Sequence, residues 1–195
     1  MKRLGIFGGT FDPIHSGHLI IAQEIRIQCH LDRVLFIPSA RPPHKHHTPL
    51  IAPEHRYAMA VLATQDDPWF EVSDIELKRP GLSYSAETLQ ALHRMYGPAC
   101  ELFFLIGADR LVHIDTWRSR EEIFERAQVV VVPRSGVDMD HTPAARRQRV
   151  ICLPSPRTDI SSTNIRRCVQ TGHSIRNLVP SSVEAYIREN RLYMT

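Results

Sequence analysis

Short apolar runs rich in β-branched residues alternate along this 195-residue chain with stretches of helical periodicity. Leu4 to Phe7, Arg33 to Pro38, Phe70 to Leu77, Glu101 to Ile106, Gln128 to Val132 and Arg149 to Leu153 read as strands. Between them, Leu19, Ile20, Ala22 and Ile25 trace an amphipathic helix, and Pro53 to Gln65 opens on a proline suited to a first helical turn, with Tyr57, Met59, Val61 and Leu62 inside it. Ser85 to Tyr96 sets Leu89, Leu92 and Met95 on one stripe before Gly97 stops it. A short helix is expected near Glu121 to Arg126, and closing helices over Ser162 to Thr171 and Ser181 to Glu189. Such alternation builds parallel strand pairs through right-handed crossovers. The expected fold is therefore α/β: a Rossmann-like, doubly wound, mostly parallel five- or six-stranded sheet with helices on both faces. Its ligands belong at the carboxyl ends of the strands, where the strand order reverses. No repeat, linker or low-complexity segment interrupts the pattern, so residues 1–195 are expected to form one domain. Ser135 to Arg147 is the most polar stretch and reads as a loop.

The net charge of +3 suits small anionic substrates and does not call for a nucleic-acid partner. Cys29, Cys100, Cys152 and Cys168 show no CxxC spacing, which points to a reducing cytoplasm rather than a disulfide framework or zinc site. No run approaches a membrane span, so no membrane partner is expected. A homo-oligomer is compatible with all of this.

Gly8 to His18, GGTFDPIHSGH, joins the first strand to the first helix. Gly8 and Gly9 are expected to take positive φ and let the backbone approach a ligand. Free N–H groups at a helix start favour phosphate oxygens. His15 and His18, three apart, place their imidazoles on one face. Neither GxxxxGK[ST] nor GxGxxG occurs, so this is not a standard phosphate loop. A second turn, ISSTNIR, spans Ile160 to Arg166. There Ser161, Ser162 and Thr163 can cap a helix and present hydroxyls and amides to an anion, with Arg166 one turn in.

Gly9, Phe11, Asp12, Pro13, His15, Gly17 and His18 together resemble the GxFDPxHxGH signature of the HxGH nucleotidyltransferases, and ISSTNIR resembles their second signature, in the correct order. Three further segments resemble the bacterial nicotinate-nucleotide adenylyltransferases: PPHK ending at Lys45, RPGLSYSAETL with Ser85 and Thr88, and IGAD with Asp109 followed by Trp117. Ser85 stands where Thr is usual, Arg118 where Tyr is commoner, and Pro133 and Ser135 depart from the family's RPG turn around Arg134. The resemblance implies transfer of AMP from ATP to nicotinate mononucleotide, with Mg²⁺ carried by ATP. It implies that Gly8, Gly9, Thr10, Phe11, Asp12, Gly107, Asp109, Ile160, Ser161, Ser162 and Thr163 hold ATP. It implies that His15, His18, Lys45, Arg134 and Arg166 stabilise the transferred phosphates. Ser39, Lys45, Ser85, Thr88, Trp117, Arg118 and Arg134 are then expected around the mononucleotide. His44, His46 and His47 flank Lys45 without a nearby Cys or carboxylate, so no metal site is expected there. Another HxGH transferase, acting on nicotinamide mononucleotide or phosphopantetheine, and a non-catalytic nucleotide-binding regulator remain alternatives.

Overall fold

The computed structural model describes residues 1–43, 49–132, 149–154 and 158–194. Six strands form one sheet: β1 (Lys2–Gly9), β2 (Arg33–Pro38), β3 (Phe70–Val72), β4 (Cys100–Gly107), β5 (Gln128–Val132) and β6 (Val150–Cys152). Their order across the sheet is β3-β2-β1-β4-β5-β6, and every pair is parallel. The order reverses between β1 and β4, which pair from Lys2↔Cys100 to Ile6↔Phe104. A crevice is therefore required beyond Ile6 and Phe104, where the connections from the two strands leave on opposite faces.

Helices cover both faces, as nearly continuous apolar strands demand. On one side lie α1 (Ser16–Gln28), α2 (Pro53–Thr64) and two late helices, α7 (Ser162–Gln170) and α8 (Ser181–Glu189), around Ile14, Phe36, Met59, Phe103, Ile165 and Val183. On the other lie α4 (Ser85–Tyr96), α5 (Ala108–Leu111) and α6 (Arg120–Arg126), around Ile6, Ile37, Leu89, Phe104, Ile123 and Val131. Among the described residues, no helix is long and apolar enough to cross a membrane.

The expected strand over Phe70 to Leu77 ends at Val72, and a four-residue helix, α3 (Ile75–Lys78), takes its second half. The ladder closes where the Ser73 N–H donates to Phe36 O, and the Ser73 hydroxyl then accepts from the Ile75 N–H. Such a local side-chain bond diverts the backbone from the sheet. Helix stripes also shift. α2 buries Arg56, Met59, Ala60 and Thr64, leaving Val61 exposed, and α4 leaves Met95 in solvent. In α1, Ala22 and Ile25 are buried while Ile20 is exposed. The stretch Ser135 to Arg147 lies outside the described residues.

Candidate active site

The carboxyl ends of β1, β2 and β4 open into one cleft of about 900 Å³. That is ample for a nucleotide-sized ligand. Gly8 and Gly9 end β1 and keep to its extended course, so positive φ is not what they supply. The left-handed residue is Phe11, at φ 50°. Glycine is needed at position 9 for room: a Cβ there would lie 2.8 Å from the Phe11 ring. Phe11 is buried, edge-on to Phe7 and to His18.

His15 caps α1, and its ring stacks on His18 with centroids 3.6 Å apart. The His15 N–H donates to His18 Nδ1 at 3.1 Å. A neutral His18 ring so engaged carries its proton on Nε2. His18 lines the cleft, whereas His15 is buried behind it. Gly17 makes this stacking possible, because a Cβ would sit 3.1 Å from His15 Nδ1 and 2.7 Å from Thr158 Oγ1.

Ser161, Ser162, Thr163 and Arg166 line the same cleft. Ser161 is the N-cap of α7, its hydroxyl accepting from the Asn164 N–H. Ser162 donates its hydroxyl to Pro13 O at 2.9 Å, and Arg166 Nη1 donates to Asp12 O at 2.7 Å. The two turns, distant in sequence, are thus bonded directly to one another. Ile160 packs against the core and is not part of the cleft wall.

Thr10, Asp12, Gly107 and Asp109 also reach the cleft, as do Ser39, Ser85, Thr88, Trp117 and Arg118. Trp117 is half-buried, edge-on to Phe104. The Arg118 guanidinium lies over the Tyr84 ring and 3.7 Å from Glu87, so its side chain is engaged at the rim. The Thr88 hydroxyl is also occupied: it donates to Glu76 Oε1 at 2.7 Å and accepts from Arg79. Lys45 and Arg134 lie outside the described residues.

Two buried polar residues and a half-buried tyrosine lie outside the motifs that the sequence displays. Arg56, 1% exposed, donates to four backbone carbonyls: Ile51, Thr10, Ser39 and Ala40. Burial lowers its pKa and the Asp12 carboxylate opposes the shift, but a guanidinium stays charged. Its place beside Met59 and Ala60 on the core-facing stripe of α2 was the available signal. Glu76 is buried in the cleft wall, and that burial raises its pKa against the opposing pull of Thr88, Ser83, Arg79 and Ser39. Tyr193 donates its hydroxyl to Asp12 Oδ1 at 2.7 Å, and nothing in the local sequence around it announces that contact.

No three His, Cys, Asp or Glu side chains converge as a metal cage among the described residues. The cleft carboxylates are engaged by neighbours: Asp12 with Tyr193, Glu76 with Thr88, and Asp109 3.8 Å from Arg110. This wall fits a dication that arrives on phosphate oxygens and water better than one held by protein ligands.

Residues 6–168 match the family model described as cytidylyltransferase-like. A Thermomicrobium roseum protein named a probable nicotinate-nucleotide adenylyltransferase is 45% identical over 201 residues, covering 100% of this chain and 93% of that protein. A Thermus thermophilus protein of the same name is 46% identical over 191 residues, 98% of this chain and 99% of its own. The solved structure of Plasmodium falciparum nicotinic acid mononucleotide adenylyltransferase complexed with NaAD superposes with a TM-score of 0.82 at 17% identity, over 99% of this chain and 98% of that one. It shares the fold.

Proposed function

This chain belongs to the cytidylyltransferase-like family, and from that premise we propose that it is a nicotinate-nucleotide adenylyltransferase, as its relatives are named. It joins ATP to nicotinate mononucleotide, giving nicotinate adenine dinucleotide and pyrophosphate. The observation that carries the reading is the direct bonding of the two turns, Ser162 to Pro13 and Arg166 to Asp12, around one cleft.

An oxygen of the mononucleotide's phosphate attacks the α-phosphorus of ATP. The bond from that phosphorus to the bridging oxygen breaks, and pyrophosphate leaves with the electron pair. The attacking group is already an anion, so no base is required. Catalysis rests on alignment and on charge stabilisation. His18 offers Nε2–H to the α-phosphate while His15 fixes its tautomer from behind. The Arg166 guanidinium and the first N–H groups of α7 meet the departing phosphates. Gly9, Thr10, Gly107 and Asp109 hold the adenosine end. The mononucleotide occupies the part walled by Ser39, Ser85 and Trp117, its pyridine ring against the indole. Thr88, occupied by Glu76, shapes that wall without offering its own proton. Lys45 and Arg134 are proposed as further phosphate ligands. Mg²⁺ carried on ATP would supply further charge neutralisation at the phosphate oxygens, beside Arg166 and the first N–H groups of α7.

One domain carries this chemistry, with α7 and α8 closing the ATP side, and the cytoplasmic nucleotide pool supplies the substrates. Measuring pyrophosphate release with ATP and, in turn, nicotinate mononucleotide, nicotinamide mononucleotide and phosphopantetheine tests the reading. The acid is expected to give the highest kcat/KM. Turnover with none of the three, or preference for phosphopantetheine, overturns it.

A further inference from the structure

Tyr193 follows α8 and is fixed there by its neighbours. Leu192 is buried, its N–H donating to Ile187 O, and the Tyr193 ring packs against the core beneath the cleft at φ 63°. Its hydroxyl crosses 181 positions of sequence to donate to Asp12 Oδ1. Burial, with the adjoining carboxylate, pushes the phenol far above its ordinary pKa, so the hydroxyl remains a donor.

Asp12 is 2% exposed, and its second oxygen, Oδ2, has no hydrogen-bond partner among the described residues. That oxygen lies 3.9 Å from Arg166 Nη1, which is spent on the Asp12 backbone carbonyl instead. Among the described residues, Arg166 Nη2 has only a long 3.4 Å contact with Thr163 Oγ1 and is the group nearest to being available to a ligand. A buried carboxylate and a half-buried guanidinium thus stand next to each other without closing into a two-pronged pair. Arg–carboxylate pairs close readily when the carboxylate can turn.

We propose that Tyr193 is a positioning residue for the ATP site: by holding Asp12 Oδ1 it keeps the carboxylate from turning onto Arg166, and so leaves that guanidinium facing the cleft. The residue acts through Asp12 and touches no substrate. This rests on the proposed role of Arg166 toward ATP phosphates. Without the hydroxyl, the freed carboxylate turns to the guanidinium and draws it off the phosphate position.

The test is calorimetric titration with a non-hydrolysable ATP analogue and, separately, with nicotinate mononucleotide. The proteins are native, Tyr193→Phe, Asp12→Asn and the double variant. Tyr193→Phe is expected to weaken analogue binding about 10-fold, while mononucleotide binding stays within about 2-fold. A neutral amide at position 12 cannot form the ion pair, so adding Tyr193→Phe to Asp12→Asn is expected to change analogue affinity less than about 2-fold, a non-additivity that a general loosening does not produce. Unchanged analogue affinity in Tyr193→Phe overturns the proposal, as does a full 10-fold loss in both backgrounds. Should Tyr193→Phe not fold, Tyr193→His, which restores a donor on a ring, serves in its place and must bind the analogue within about 3-fold of native. Failure of the functional reading shows separately, as native protein that binds the analogue but releases no pyrophosphate with any mononucleotide.

Discussion

His18 meets the cleft with its proton position set by a neighbour. The His15 N–H occupies Nδ1, so the neutral ring has one place left to carry hydrogen, and that is Nε2. Replacing His18 by alanine removes the donor proposed to act on charge developing at the α-phosphorus. A kcat loss of roughly 10²-fold is expected from initial rates of pyrophosphate release, with lesser change in KM. Near-native turnover in that variant removes His18 from the chemistry. Glu76 permits a second prediction at this scale. Burial favours its neutral form, so the folded chain holds that proton more tightly than the unfolded chain. Raising the pH past the ordinary value of 4.5 strips the unfolded state first, and stability falls with rising pH until the folded group ionises too. The amide introduced by Glu76→Gln has no such proton to lose. The urea midpoint of Glu76→Gln relative to native is therefore expected to climb as pH rises from the ordinary value of 4.5 toward neutrality, and a pH-independent gap contradicts the assignment. His18, Ser161 and Arg166 were legible from sequence because each sits in a short window of fixed spacing. Arg56 and Tyr193 were not. Their partners Thr10 and Asp12 lie 46 and 181 positions away, and no local pattern records a contact of that span.

The elements most plainly written in the sequence are those whose apolar content leaves one solution. The runs from Arg33, Glu101 and Gln128 are buried on both faces and could only be central strands. β3 was read too long because Ile75 and Leu77 continue its apolar character, while Ser73 ends it through a hydrogen bond that composition does not display. The turn into α5 at Gly107 and the short 3₁₀ turn at Ile114–Thr116 were missed for their brevity. The start of α7 was legible, since Ser161 stands where a cap belongs. Ser161→Ala leaves the Asn164 N–H without its acceptor. A loss of about 1 kcal/mol in urea unfolding is expected, with weaker ATP-analogue binding because the first turn of α7 frays. Native stability in that variant contradicts the capping role.

Across the whole molecule, the reversal of strand order between β1 and β4 fixes where a ligand must go, and the alternation of elements was enough to anticipate it. The alternation could not say that residues near both ends of the chain form one wall. Ser162 and Arg166 against Pro13 and Asp12 do that. A ligand bound across this junction holds early and late segments together. An ATP analogue at about 100 times its Kd is expected to raise the melting temperature by roughly 5–10 °C, as read by calorimetry. No shift at that saturation contradicts a nucleotide site at the junction.

Arg56 grips the carbonyls of Ser39 and Ala40 at one foot and of Ile51 at the other. Whatever the chain does in between, its two feet are bolted to the same plate, and the plate is bolted to Thr10. Ala40 and Ile51, the two ends of that segment, are therefore set by one guanidinium, the way a tool head is held on a fixed shank. A change at Arg56 accordingly reaches the glycine turn and both ends of that segment at once.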